Sequence, residues 1–376
     1  MHIDDFSLRI IYNSRVEPTV EAEVNGVRAA APSGASTGTH EALCFVPDDL
    51  ERIETTLQDR LTGESLSQDE FDAALEDVDG TDNFAEIGAV AIASSLAFWK
   101  AQERALGDRF PYPAGNLVGG GEHGGNTSIQ EFLVIPAGAS SIPEAMDILS
   151  QVYHEFHDRY SRRITGINDE GAYITDFNDE ETLDAVTEVA EDHGAQVGID
   201  AAASEFYDRG EYRYGAMGQE FSPDEQLKFM EKLVERFDLA YVEDPFDEED
   251  FERLAQLTDR VNDALVVGDD VFVTDAERLQ RGAGIGAGNS LIVKPNQAGT
   301  VSRTRETVEA AQDNGYVPVV SHRSGETCDA TISDLALAWN APLLKAGIAG
   351  IRTAKNNQLL RRWDERGGTM AQVEAL

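Results

Sequence analysis

Two patterns of apolar residues follow each other along the chain. Across residues 7–31 apolar and polar positions alternate around an Asn25-Gly26 pair, which predicts a β-hairpin. Residues 48–62 and 67–107 then show helical spacing, with Ser67 as the expected N-cap. The first part of the chain is therefore expected to form a small α+β domain.

Two prolines, Pro111 and Pro113, interrupt this segment and mark the expected domain boundary. Beyond them, strand-like runs alternate with helix-like segments, as in a β/α architecture. The strands are expected to end near Pro136, Asp200, Asp244, Asp269, Lys294, Ser321 and Lys345. The helices are expected over residues 142–160, 179–193, 223–237, 247–258, 300–314 and 328–339. The sequence thus predicts an α/β fold, with an α+β capping domain at 1–110 and a β/α barrel at 111–376.

Charged residues close successive apolar runs of the predicted barrel. Three are acidic and two are lysines: Asp200, Glu243, Asp269, Lys294 and Lys345. Because barrel strands end on one face, where active sites lie, these side chains are expected to meet. Three carboxylates there suit a hard divalent cation such as Mg²⁺. The two amines suggest proton abstraction beside a carboxylate that the metal holds.

Lysine is scarce in this chain, which has six lysines against 24 arginines. An arginine cannot give up its proton at accessible pH, whereas a desolvated lysine can. Lys294 and Lys345 are therefore interpreted as retained for chemistry. The alternative is that each lies at the edge of the core and reaches water with its amine.

The composition narrows the class of protein. The 376 residues are 41% apolar, which allows a sizeable core, and the net charge is −40. Such an acidic surface repels nucleic acids and anionic membranes, so neither is expected as a partner. Acid spread along the whole chain suggests a cytoplasm of high salt, where charge is screened. The alternative is an acidic protein from an ordinary habitat.

Three features of the sequence lead us to expect a cytoplasmic protein. Cys44 and Cys328 give no disulfide framework. The N-terminal residues lack the basic start and apolar core of a signal peptide. The longest uncharged apolar candidate, residues 87–99, is too short to span a bilayer.

Seven short motifs, in order along the chain, resemble those of the enolase family. They lie at residues 32–38 followed by His40 and Glu41, and at residues 129–136, 169–171, 242–246, 268–270, 294–297 and 321–327. The similarity covers essentially the whole chain. It implies an enolase-type barrel lyase that removes water from 2-phosphoglycerate to give phosphoenolpyruvate, with two Mg²⁺ ions during turnover.

The resemblance also implies roles for the metal ligands and the two lysines. The implied ligands are Asp200, Glu243 and Asp269 for the first ion, and Ser36 for the second. Lys294 would be the base that removes the C2 proton and must be neutral, which burial and nearby cations would favour. Lys345 would stay protonated and neutralise the charge that grows on the substrate carboxylate.

Other residues take their roles from the same resemblance. Glu170 would be the general acid for the departing hydroxide, with Glu131 supporting it. Arg323 and Ser324 would bind the phosphate, since a planar guanidinium suits a phosphoryl group. The pocket would be lined by Gln130, His123 and His322. The alternative for Glu131 and Glu170 is that they are solvated loop acids.

Assembly is implied as well. The resemblance predicts a symmetric homodimer, in which Glu21 pairs across the two-fold axis with Arg352 of the partner subunit.

Three departures from the family motifs leave the substrate open. Val16 replaces a turn glycine, which predicts a different backbone there. Residues 172–175 are expected to change a loop over the site, and Ala346 replaces a threonine after Lys345. Besides phosphopyruvate hydratase, two readings remain: a related lyase acting on another phosphorylated or carboxylated acid, and a non-catalytic enolase-fold binding protein.

Overall fold

A three-stranded antiparallel sheet opens the structure, a computed structural model that describes residues 1–34, 40–102, 105–261, 263–373 and 375–376. Its strands, in spatial order, are β1 (Phe6–Tyr12), β2 (Pro18–Val24) and β3 (Val27–Ala30). Asn25 and Gly26 join β2 to β3 with φ values of 50° and 78°, as a two-residue hairpin turn requires. The predicted hairpin is confirmed.

Three helices follow the sheet: α1 (Leu50–Leu61), α2 (Gln68–Asp79) and α3 (Ala89–Ala101). Ser67 caps α2 as predicted, in a capping box with Glu70. The helical spacing over residues 67–107 corresponds to two helices, because Gly80 takes a left-handed φ of 72° and ends α2. The helix α3 is buried along most of its length and packs against β2, β3 and α2.

The rest of the chain alternates strands and helices, and eight of its strands form a closed barrel. Its strands are β4 (Arg109–Phe110), β5 (Tyr112–Gly119), β6 (Glu131–Ile135), β7 (Ile164–Ile167), β8 (Tyr173–Thr175), β9 (Gln196–Asp200), β10 (Tyr207–Asp208), β11 (Glu211–Tyr214), β12 (Gln219–Phe221), β13 (Tyr241–Glu243), β14 (Leu265–Gly268), β15 (Ser290–Val293), β16 (Val317–Ser321), β17 (Leu343–Lys345) and β18 (Thr369–Met370). Its helices are α4 (Ile142–Tyr160), α5 (Asp179–Asp192), α6 (Pro223–Phe237), α7 (Phe251–Arg260), α8 (Ala276–Ala283), α9 (Pro295–Ala298), α10 (Val301–Asp313), α11 (Thr331–Ala338) and α12 (Thr353–Arg366).

The barrel is closed by eight strands in the order β17-β16-β15-β14-β13-β9-β6-β5, with β17 pairing back to β5. This confirms the predicted fold class. One strand, β6, runs antiparallel to both neighbours. Its end near Pro136 therefore lies at the opposite face from the other strand ends, contrary to expectation. Its first residue, Glu131, pairs instead with Asp200 at the end of β9.

Several element boundaries differ from the sequence prediction. The helix α4 spans the predicted residues, but α7 begins at Phe251 and not at residue 247, because Asp250 caps it there. The strand β5 and the helices α8 and α12 were not predicted. Pro113 lies inside β5, and it is tolerated because pairing with β6 begins only at Gly115.

Apolar side chains fill the barrel away from the strand ends and form a core. A separate core lies under the N-terminal sheet and helices, and Val301 and Leu335 of the barrel helices join it. The division at residue 110 stays a prediction. Among the residues that the structure describes, no helix is long and apolar enough to cross a membrane.

The N-terminal region reaches the mouth of the barrel. Ser33, just after β3, forms a bridge with Gly325, and the two exchange backbone hydrogen bonds of 2.9 and 2.8 Å. A Cβ at Gly325 would collide with the Ser33 hydroxyl, so glycine permits this close approach. Asp72 of α2 accepts a hydrogen bond from the Ser302 N–H at the start of α10 (2.9 Å). The bridge at Ser33 places residues 33–34 beside the strand ends, and the Ala42 N–H, which donates to the Gln297 carbonyl (2.8 Å), does the same for residues 40–42.

Candidate active site

Four of the charged residues that close the strands, Asp200, Asp269, Lys294 and Lys345, line one cavity with an empty volume of about 640 Å³, and Glu243 is fully buried beside Asp200. Asp200 and Glu243 are direct neighbours in register on β9 and β13. Asp269 and Lys294 directly follow β14 and β15, and Lys345 ends β17. Four of these side chains are at least nine-tenths buried, and Lys294 is 14% exposed. The barrel therefore brings these side chains together at one face, as the sequence predicted.

Each lysine of the cavity lies against carboxylates. Lys345 Nζ donates to Asp200 Oδ2 (2.7 Å) and Glu243 Oε2 (2.8 Å), and it lies 3.4 Å from Glu131 Oε2. Burial disfavours its charge, yet Asp200, Glu131 and Glu243 raise the pKa of Lys345 well above its ordinary value. Lys345 is therefore protonated, as its implied role requires.

The other lysine does not match the expectation of a neutral amine. Lys294 Nζ forms a hydrogen-bonded ion pair with Asp269 Oδ2. Although burial acts in the opposite direction, the negative charge of Asp269 raises the pKa of Lys294. Without a bound cation, the carboxylate against its amine therefore favours the charged form of Lys294, and the neutral base stays a prediction.

Carboxylate oxygens are ligands that a hard cation prefers. The predicted triad of Asp200, Glu243 and Asp269, however, is not the acidic group whose ligand atoms lie nearest to one another. Among the described residues, ligand atoms within 4.8 Å of one another belong to Asp244, Asp269 and Asp270, and to His123, Glu131 and Glu170. Asp200 and Glu243 are instead bridged by the Lys345 ammonium, which stands where a cation is needed.

One oxygen of the predicted triad is available for a metal. Glu243 Oε1 is buried and has no hydrogen-bond partner among the described residues. Burial, followed by the nearby Asp200 charge, raises the pKa of Glu243 well above its ordinary value. Buried oxygen ligands at this density suit Mg²⁺. The fourth implied ligand, Ser36, lies outside the described residues.

The implied acid, Glu170, is held on the other side of the cavity. Its Oε2 accepts from Asn116 Nδ2 (2.9 Å) and its Oε1 from Arg352 Nη2 (3.0 Å), while His123 Nε2 lies 3.8 Å from Oε1. Burial alone would raise its pKa, but Arg352 and His123 outweigh burial and lower the pKa of Glu170. Glu170 is therefore buried and held by hydrogen bonds, and it is not a solvated loop acid.

Two neighbours have shifted pKa values as well. His123 Nδ1 lies 3.2 Å from Asp169 Oδ1; burial opposes its charge, but this contact and the Glu170 and Glu131 charges raise the pKa of His123 to about 9. Burial raises the pKa of Glu131 to about 8, against the opposing charge of Lys345. Gln130 precedes β6 and lines the same cavity.

The implied phosphate-binding residues follow β16. Arg323 is buried, and its guanidinium donates to both carboxylate oxygens of Glu41 (2.8 and 3.3 Å). Ser324 lines the cavity beside it, and the backbone N–H of His322 donates to the Lys345 carbonyl (3.0 Å). The N-terminal region thus contributes Glu41 directly to the site.

The predicted dimer contact is wrong for Arg352. This side chain is fully buried in its own subunit, where it binds His322, Glu170 and backbone carbonyls. Glu21 pairs with Arg9 on the neighbouring strand at 3.1 Å. A fully buried arginine cannot reach a partner subunit, so this pair carries no argument for a dimer.

Two of the three departures are also corrected. Residues 173–175 form the strand β8 and not a loop over the site, and Tyr173 stacks on Tyr153 with ring centroids 4.4 Å apart. Val16 keeps a φ of 60°, in the region that favours glycine, so the turn is strained and has not taken up a right-handed or extended backbone. Ala346 is buried and donates to the Ala114 carbonyl (3.0 Å).

Sequence reasoning missed several residues that line the cavity or hold its side chains. Asp244 accepts from the Asp269 and Asp270 N–H groups (both 2.8 Å) and so shapes the loop that carries Asp269. Asn116 went unnoticed because Pro111 and Pro113 obscured the strand that carries it. In the sequence, Asn116 could have been found as a polar residue within a largely apolar run. Glu41 stood in a motif, but only the fold shows its partner.

The fold and the cavity together define a class of protein. A closed barrel whose mouth gathers buried carboxylates, two lysines and a buried arginine is a site for acid–base chemistry on a small anion. Residues 3–110 match the family described as enolase, N-terminal domain, and residues 108–374 match enolase, C-terminal TIM barrel domain.

Relatives from three organisms agree with these matches. A protein named enolase from Archaeoglobus fulgidus is 42% identical, over 96% of this chain and 97% of its own length. Enolases of Natronomonas pharaonis and Halobacterium salinarum are each 44% identical over 96% of this chain, covering 98% and 99% of their own lengths. The chain belongs to the enolase family.

Proposed function

We propose that this protein is a phosphopyruvate hydratase, a lyase that reversibly dehydrates 2-phosphoglycerate to phosphoenolpyruvate. One observation carries the proposal. One cavity is lined by two lysines that are paired with carboxylates: Lys294 with Asp269, and Lys345 with Asp200 and the buried Glu243. It is also lined by Glu170, which is paired separately with Arg352 behind the cavity. Removal of a proton and of a hydroxide from adjacent carbons needs a base and an acid at two such positions.

The base is Lys294. It can accept the C2 proton only after losing its own, and its partner Asp269 opposes that loss. Engagement of Asp269 by a cation would remove this opposition and leave the buried amine to favour its neutral form. Lys345 keeps its proton and faces the charge that develops on the substrate carboxylate, because three carboxylates support its positive form.

The acid is Glu170, with Glu131 beside it on the same side of the cavity. Glu170 is ionised in the chain by itself, so it must gain a proton before it can give one to the departing hydroxide. Glu131, whose pKa is raised to about 8, is a neighbouring carboxyl that carries a proton near neutral pH. We assign Glu131 as the supporting group, and His123, Gln130 and His322 as pocket residues that orient the substrate.

Mg²⁺ would be held by Asp200, Glu243 and Asp269, with Ser36 for a second ion. When bound, it supplies Lewis-acid stabilisation of the negative charge on the substrate carboxylate. Arg323 and Ser324 are assigned to the phosphate. Because Glu41 already binds the Arg323 guanidinium, phosphate would share that guanidinium with Glu41 or displace it.

The two other readings are less favoured. The identity of 42–44% to proteins named enolase spans nearly the full length of each chain. Two of the three sequence departures that suggested another substrate do not alter a loop over the cavity. A non-catalytic binding protein would not need both buried lysines.

The direct test is formation of phosphoenolpyruvate from 2-phosphoglycerate, followed by its absorbance with Mg²⁺ in molar KCl. We expect steady turnover that reverses when phosphoenolpyruvate is supplied. Activity on a related acid but none on 2-phosphoglycerate would overturn the substrate assignment while leaving the lyase assignment intact.

Assembly and location belong to the same proposal. A homodimer or higher homo-oligomer and a cytoplasmic location are proposed from the family resemblance. The dimer no longer rests on Arg352, and light scattering at high salt tests it: a monomer there would refute the proposal.

A further inference from the structure

Arg352 heads the fully buried side chains of the described residues when these are ranked by volume. Its guanidinium lies behind the cavity and donates in three directions. Nε donates to His322 Nδ1 (2.7 Å), Nη1 to the Asp169 carbonyl (2.9 Å), and Nη2 to Glu170 Oε1 (3.0 Å) and to the carbonyls of Arg323 (3.0 Å) and Ser324 (2.7 Å). One side chain thus contacts the acid side and the phosphate side of the cavity together.

The bond to His322 determines the state of that ring. A guanidinium has only donors, so His322 Nδ1 must accept and carries no proton. The neutral imidazole then holds its single ring proton on Nε2. Burial, with the charges of Arg352 and Lys345 and against that of Glu170, lowers the pKa of His322 well below its ordinary value. The ring is therefore neutral and in one tautomer.

The backbone makes room for this arrangement. A Cβ at Gly347 would lie 2.7 Å from Arg352 Cδ and 2.9 Å from the Glu170 carbonyl oxygen, so glycine permits Arg352 to pass. The His322 N–H is held by the Lys345 carbonyl (3.0 Å), and its ring is held by Arg352, seven residues further along. The segment after β17 thereby ties the strand-end lysine to the opposite side of the cavity.

We propose that Arg352 is a positioning residue for the reaction: it holds His322 as the Nε2–H tautomer, so that the ring offers a donor to the substrate cavity, and it fixes the carboxylate of Glu170. His322 lines that cavity. A ring held as a donor suits an anionic oxygen of the substrate, whereas the opposite tautomer would present a lone pair and repel it. The inference deepens the proposed function, and its kinetic part rests on that function.

The first measurement needs no variant. In protein labelled with ¹⁵N-histidine, two-bond proton–nitrogen correlation spectra report which ring nitrogen of His322 carries the proton. His322→Gln identifies the signal by its loss. We expect a neutral ring with the proton on Nε2. A wild-type ring that is protonated on Nδ1, alone or together with Nε2, overturns the proposal whether or not the protein dehydrates 2-phosphoglycerate.

The second measurement removes the donor. Arg352→Met keeps an unbranched side chain without any N–H, and we expect the His322 signal to lose its single tautomer. The control is Lys355→Met, which removes another buried cation from α12 that binds Glu326 and Thr327 and does not contact His322. The control should keep the wild-type tautomer. A folded Arg352→Met protein with an unchanged His322 tautomer overturns the proposal; if this variant does not fold, the wild-type spectrum decides.

The kinetic readout separates positioning from general loss of structure. Arg352→Met should lower kcat by about 10²-fold, as displaced catalytic groups do, with a smaller change in KM. Arg352→Lys, which keeps one cationic donor, should recover part of kcat together with the His322 tautomer. Equal losses of kcat in Arg352→Met and the Lys355→Met control would show a merely structural role and overturn the proposal.

Discussion

The cavity and the outer surface of this protein both hold acidic residues in excess, but they balance them differently. Around the cavity, the cations Lys294, Lys345, Arg323 and Arg352 each form an ion pair with a carboxylate, and these partners are largely buried. Over the whole chain, 70 acidic residues face 30 basic ones. Surface pairs are exposed: in the pair of Lys232 with Glu180, 3.5 Å apart, the lysine side chain is 58% accessible.

The difference shows in which of the two regions charged residues can take part in a reaction. In a buried cluster, the removal of one partner leaves an uncompensated charge in a poor solvent for ions. On the surface, water and salt screen each charge, and a single pair contributes little. We therefore expect the cavity to respond strongly to single substitutions and weakly to salt, and the surface to respond the other way round.

The largest effect is expected for the metal ligands. Asp269→Ala should lower turnover by about 10³-fold or more, because several kcal/mol of stabilisation of the substrate charge are lost. Excess chelator should abolish the activity of the wild type in the same absorbance assay. The control is Asp313→Ala, an exposed residue at the end of α10, which should leave activity unchanged. Full activity in chelator would end the magnesium assignment.

A smaller but sharper effect separates base from acid. Lys294→Ala should stop exchange of the substrate C2 proton with solvent. Glu170→Gln should slow dehydration by about 10²–10⁴-fold, the usual contribution of general acid catalysis, and leave that exchange running. Both are measured by NMR of the substrate in deuterated buffer. Continued exchange in Lys294→Ala would show that the base is another residue.

Stability should distinguish a buried lysine from an exposed one. Lys345→Met leaves Asp200, Glu243 and Glu131 without their shared cation and should destabilise the fold by about 3–5 kcal/mol without metal. Added Mg²⁺ should restore part of this loss. Lys232→Met removes an exposed lysine and should not measurably change thermal unfolding. Equal effects of the two substitutions would contradict the comparison between cavity and surface.

The smallest effect of any single charge is expected on the surface, where many charges together make the melting temperature depend on salt. The Debye length falls from about 10 Å in 0.1 M salt to about 3 Å in 1 M salt, which removes most repulsion between neighbouring carboxylates. The melting temperature of the wild type should therefore rise steeply with KCl. The difference between wild type and Lys345→Met should change much less. A melting temperature that is flat between about 0.1 M and about 2 M KCl would show another purpose for the acidic surface.

Patterns that depend on near neighbours in the chain were readable from the sequence. The hairpin at Asn25-Gly26, the cap at Ser67 and the span of α4 follow from local residues, and all three are confirmed. The break between α2 and α3 within residues 67–107 was not predicted, because α3 is buried on nearly every side and shows no amphipathic boundary. The strand β5 was not predicted because Pro113 argues against a strand, and Pro113 is harmless here only because no β6 residue pairs with it.

The sequence by itself determined the family, the barrel and the identity of the charged residues at the strand ends. It did so because strand periodicity and short motifs are local properties. Only the tertiary structure decided the partners of those charges. Lys294 is held by Asp269, Arg323 by Glu41 across 282 residues, and Arg352 lies inside the site and not at an interface. Electrostatic balance depends on distance and burial, which the closed barrel sets and which spacing along the chain does not report.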